Sequence, residues 1–149
     1  MSDALFDRIR GLVRSRDICV LATASGERPH CSLMAYVADD DCREIYMVTG
    51  RNTTKFRNLS ANPEVSILID TREEHPSGNR QYAQALTVDG TFEPVGSKDK
   101  KSRIAGRFRE KHPHLKTIMA EPDAEILCVR VKSFLLLDGV STSHFVELP

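Results

Sequence analysis

Apolar runs of strand length follow one another through most of this chain, each closed by turn residues, and that spacing limits the fold to a β-rich one. Residues 18–24, 30–38 and 44–49 are three such runs, separated by Ser25-Gly26 with Pro29 and by a polar turn at 39–42. They lie close enough in sequence for an antiparallel meander. A fourth run covers 63–71, a fifth about 83–95, and the last long one 125–137. Gly90 inside the fifth run marks a bend or bulge. Helical spacing appears at 3–15, where Leu5, Ile9, Leu12 and Val13 share a face, in a short segment after Thr53, and at 98–111 with Ile104 and Phe108 on one side. No repeat, low-complexity tract or linker divides the 149 residues, so a single domain over 1–149 is expected. Six strands with helices at the edges and across the openings favour a mainly β (α+β) fold, a small antiparallel barrel, because closure removes exposed strand edges.

Charge narrows the function classes. Lys plus Arg and Asp plus Glu are equal at 21 each, which argues against a polyanion partner such as nucleic acid. The basic cluster at 98–101 with Arg103, Arg107 and Arg109 reads as a solvated helix face. Cys19, Cys31, Cys42 and Cys128 form no C-x-x-C pair, and three of them sit in apolar runs, as small buried hydrophobes do in a reducing compartment. The histidines form no metal set, since Pro113 separates His112 from His114 in a turn-like segment. Without a membrane-length apolar stretch or a signal-peptide core, a soluble cytoplasmic protein is expected. No nucleophile and base pair, and no carboxylate pair, is spaced for hydrolysis.

The segment IYMVTGRNTTKFRNLSANPEVSILID at 45–70 places a short helix between two strands. The first amides of a helix lack intrahelical partners and sit at the positive end of its dipole, so an anion is favoured there. Thr53 and Thr54 add hydroxyl donors, Lys55 and Arg51 add charge, and Asn62-Pro63 ends the helix. That is the chemistry of a phosphate site; Thr as a helix cap beside solvated cations is the alternative reading.

Four runs together carry a family resemblance: PHCSLMAYV at 29–37, IYMVT at 45–49, TTKFRNLSANPEVSILI at 53–69 and QALTVDG at 84–90. The chain resembles the pyridoxamine 5′-phosphate oxidase-like FMN-binding split-barrel proteins, most specifically in Lys55 standing eight residues before Pro63. The resemblance implies a six-stranded antiparallel split β-barrel with flanking helices, FMN as cofactor, and a homodimer with the flavins between subunits. It implies that Lys55 contacts the FMN phosphate, with Thr53 and Thr54 donating hydrogen bonds and Arg51 adding charge if its side chain turns inward. His30, Cys31, Ser32, Leu33, Met34 and Ala35 would lie along the ring and ribityl chain, Val48 and Thr49 would line the neighbouring strand, and Gln84 would approach from the fifth. The chain departs from the oxidases in carrying His30 and Ala35 where they have basic residues, Thr54 where they have arginine, and the ending STSHFVELP where they recognise their substrate. The expectation is therefore a flavin-dependent oxidoreductase or reductase of another small molecule. The alternatives are a non-catalytic flavin carrier or sensor, and a split barrel holding haem or a deazaflavin.

Overall fold

A helix leads into the barrel. In the computed structural model, which describes residues 3–149, α1 (Asp3–Ser15) buries Phe6, Ile9, Leu12 and Val13 against the sheet interior. Leu5, expected on that face, is only partly buried at its margin. The strands are β1 (Ile18–Ser25), β2 (Arg28–Ala35), β3 (Val37–Ala38), β4 (Glu44–Gly50), β5 (Glu64–Asp70), β6 (Gln84–Glu93), β7 (Ala124–Asp138) and β8 (Thr142–Glu147). Between them run α2 (Thr54–Ala61), α3 (Lys98–Lys111) and α4 (Lys116–Met119). The first two residues of the domain expected over 1–149 lie outside the described part.

All eight strands form one antiparallel sheet in the order β2-β1-β5-β6-β7-β4-β3, with β8 also on β7. Its two ends, β2 and β3, are consecutive in the chain and separated only by Tyr36. The sheet thus curls until its edges meet through one covalent link, a split barrel. Tyr36 is fully buried there, its amide bonded to Asp17 O at 3.1 Å and its hydroxyl donating to Val13 O at 2.5 Å.

The expected fold class holds, and the strand count rises from six to eight for two reasons. The run 30–38 is broken at Tyr36, where the chain leaves one sheet edge for the other, and residues 142–147 return beside β7 after the positive-φ turn at Gly139. The meander is corrected as well. β1 and β2 form the expected hairpin, but β4 pairs with β7 and with the two-residue β3, because closing the barrel requires it to leave β2. At Gly90 the β6–β7 register shifts, and a Cβ there would stand 2.5 Å from Arg130 O, so the bulge needs glycine.

The interior is filled by alternate residues of each strand, among them Cys19, Leu21, Met34, Met47, Ile67, Ile69, Leu86, Val88, Leu127, Phe134 and Leu136. Each large side chain so buried contributes about 1.5–3 kcal/mol. A second cluster on the outer face holds α3 down, with Ile104 and Phe108 over Val37, Tyr46, Val95 and Cys128. The cysteines are all free; Cys42, from the polar turn, is buried, while Cys31 is exposed on edge strand β2.

Candidate functional site

The segment at 45–70 folds as its pattern implies. β4 delivers Val48, Thr49 and Gly50 to one end of the barrel, the chain turns, and α2 begins after Thr53. Thr53 caps the helix by accepting from Phe56 N at 3.2 Å. Its own proton goes to Gly50 O at 3.0 Å, so the neighbouring Thr49 hydroxyl, 3.2 Å away, donates to it. The Thr53 hydroxyl is therefore committed to the helix start. Thr54 accepts from Arg57 Nη2 at 3.3 Å and keeps its proton. The amides of Thr54 and Lys55 precede the first intrahelical bond, from Arg57 N to Thr53 O, and have no partner within the helix. Inside α2, buried Asn58 donates to Thr23 Oγ1 at 3.1 Å and fixes the helix to β1.

Beside this helix start lies a cavity of about 290 Å³ lined by Leu33, Met34, Ala35, Val48, Thr49, Gly50, Lys55, Leu115 and Ile118. Lys55 is half-buried and, among the described residues, has neither a salt bridge nor a hydrogen bond to its ammonium group. A partly desolvated cation beside free helix amides is arranged for an anionic ligand, and the apolar remainder of the lining suits a flat ring attached to it.

Six residues expected at the site thus share one cavity: Leu33, Met34, Ala35, Val48, Thr49 and Lys55. Thr53 and Thr54 are not in its lining; they precede Lys55 at the helix start, and Thr53 bonds the lining residues Thr49 and Gly50. His30 and Ser32, both half-buried, continue along β2 on the barrel side with Met34, while Cys31 shares the outer face with Leu33. Arg51 points elsewhere, its guanidinium bonded to Glu125 Oε1 at 2.6 Å and Pro122 O at 2.9 Å. Gln84 stands apart within the chain, at the start of β6, held by Thr71 and Asp138. Gly50, Leu115 and Ile118 join the lining from outside the expected set. For Leu115 and Ile118 the available signal is the apolar pair three residues apart after Pro113.

A larger cavity of about 770 Å³ lies on the outer face of β1 and β5, floored by Ile18, Val20, Leu33 and Leu68 and rimmed by charged residues. Among the described residues no group of three or more His, Cys, Asp or Glu is placed to hold a metal ion, and no helix is long and apolar enough to cross a membrane.

The family model described as pyridoxamine 5′-phosphate oxidase matches residues 5–138. A Schizosaccharomyces pombe protein described as a pyridoxamine 5′-phosphate oxidase homolog is 26% identical over an alignment of 166 positions, covering 88% of this chain and 84% of that protein. Among solved structures, a heme binding protein from Mycobacterium smegmatis matches with a TM-score of 0.86 at 16% identity. The match covers 99% of this chain, which spans 59% of that protein. A FAD-binding protein from Mesorhizobium loti matches with a TM-score of 0.69 at 16% identity, covering 91% of this chain and 94% of that one. At these identities the two structures speak for the fold alone.

Proposed function

The chain belongs to the pyridoxamine 5′-phosphate oxidase family, and from that premise we propose that it binds FMN and acts as a flavin-dependent oxidoreductase on a small molecule. The observation that carries this reading is Lys55, half-buried and without a partner among the described residues, beside the free amides at the start of α2. Those groups would hold the phosphate; Leu33, Met34, Ala35 and Val48 would lie along the ring system. Bound flavin would supply the electron transfer, while the barrel orients it and limits its contact with water. The free, mostly buried cysteines suit a cytoplasmic setting.

A homodimer is part of the same proposal. Leu33, Val20, Leu68, Thr87, Leu135 and Phe145 are successive cross-strand partners over six strands, so they form one apolar row on the outer face of the sheet. The ends of that row are open, with Leu33 71% and Phe145 63% exposed. A second copy laid on this face would cover the row. It would also give Gln84, remote from the cavity of its own chain, a way to approach the partner's.

Pyridoxamine phosphate itself is disfavoured as substrate. His144, the one candidate in the C-terminal segment, lies on β8 opposite Leu136, among residues that face the barrel interior. Haem is the second reading, favoured by the likeness to a protein described as heme binding. Against it, no histidine among the described residues lines the cavity beside Lys55.

Titrating the protein with FMN and with riboflavin tests the phosphate assignment. FMN is expected to bind more tightly, and Lys55→Ala to weaken FMN binding by about 1.5–3 kcal/mol while leaving riboflavin unchanged. Equal affinity of wild type and variant for FMN would remove Lys55 from the site. Turnover of NADH or NADPH with an electron acceptor separates an enzyme from a flavin carrier.

A further inference from the structure

The chain from His112 to Glu125 crosses the cavity and is tied down at both ends. At the first end His112, 2% exposed, donates from Nε2 to Tyr36 O at 2.8 Å. Tyr36 directly follows Ala35, the last residue of the strand wall formed by Leu33, Met34 and Ala35. In the middle, a turn at 113–115 and α4 bring Leu115 and Ile118 to the cavity. At the far end three groups hold Arg51: Asp123 O accepts from its amide at 2.9 Å, Pro122 O from Nη2 at 2.9 Å, and Glu125 Oε1 from Nη1 at 2.6 Å. Arg51 directly follows Gly50, a lining residue, and opens the turn that leads to Thr53 and Lys55. Each tie therefore fastens the segment to a different wall, one to the strand end and one to the helix-start loop.

We propose that residues 112–125 form a strap that sets the width of the cofactor cavity, with His112 and Arg51 as its two positioning residues. On this assignment Arg51 acts through Glu125 and Pro122 and does not touch the phosphate. His112 fixes the ring end, because a buried carbonyl at Tyr36 with its donor removed would pull away to find another. The inference rests on the flavin reading for its ligand, while the fastening itself can be tested on the protein alone.

Two measurements decide it. Amide hydrogen exchange on the ligand-free protein reads each fastening separately. His112→Phe, which keeps a ring but has no donor, is expected to speed exchange at Tyr36 and Leu115 and leave Arg51 protected. Glu125→Ala is expected to do the reverse, and His112→Gln, whose side-chain amide restores the donor, to reverse the first effect. Exchange that rises uniformly in both variants, or in neither, overturns the strap. Flavin titration then reads the ligand. Glu125→Ala and Arg51→Met are each expected to weaken FMN by roughly tenfold with riboflavin little changed, and His112→Phe to weaken both. If Glu125→Ala leaves FMN unchanged or binds it more tightly while Arg51→Met loses it, Arg51 meets the phosphate directly and its positioning role falls. A wild type that binds neither flavin refutes the cofactor reading alone, and the exchange pattern still decides the strap.

Discussion

At the residue scale the helix start divides labour between two adjacent threonines. Thr53 spends its proton and both acceptor directions on Gly50, Thr49 and Phe56, whereas Thr54 keeps its proton uncommitted, available to the proposed ligand. Thr53→Val is therefore expected to lower stability by about 1 kcal/mol in urea denaturation, through loss of the cap. Thr54→Val is expected to leave stability unchanged and weaken FMN in the same titration that tests Lys55. The reverse pattern would mean the two hydroxyls have exchanged roles. Sequence spacing identifies Lys55 and the end of its helix, because both depend on neighbours within one short segment. It cannot separate Thr53 from Thr54, which differ only in helix register, nor find the partner of Arg51, which lies 74 residues away.

Most strands and helices with one face on the core were legible; β8, which buries Val146, was not. The periods at 3–15 and 98–111 coincide with α1 and α3. The break at Tyr36 was not legible as a change of sheet edge, although Tyr36 and Val37 are consecutive buried residues and interrupt the alternation of β2. Two elements carry their own tests. Gly90→Ala would drive a methyl group into Arg130 O and Val129 of β7, and is expected to destabilise the protein by about 1–3 kcal/mol in urea denaturation. On β4, burial pushes the Glu44 carboxyl up, but hydrogen bonds from Tyr46 and Lys100, with the Lys100 charge, outweigh it and hold the group below the usual glutamate range. A folded-state value below the unfolded one means that ionised Glu44 stabilises the fold above the unfolded value, and that this contribution is lost as pH falls through the folded one. Glu44→Gln is accordingly expected to be less stable than wild type at neutral pH, the difference shrinking as the acid range is entered. A difference constant with pH would contradict that origin.

For the whole molecule, the barrel was legible because its strands alternate and are each closed by turn residues, and the apolar row is the surface on which the proposed second copy would lie. A side chain on the outer face cannot be told from one on the inner face until the register is known, so the sequence does not say which face Leu33 takes, and it is 71% exposed in the fold. If a second copy covers the row, Leu33→Glu and Phe145→Glu are each expected to yield a monomer by sedimentation velocity with unchanged far-ultraviolet circular dichroism. A wild type that sediments as a monomer would contradict the dimer. On the proposed function the cavity beside Lys55 holds FMN. That is tested most directly by the absorbance spectrum of the protein after incubation with excess FMN, or separately with haemin, and removal of free ligand. Flavin bands retained at about one per chain, with no Soret band retained after haemin, is the expected result. A retained Soret band with no retained flavin would contradict it.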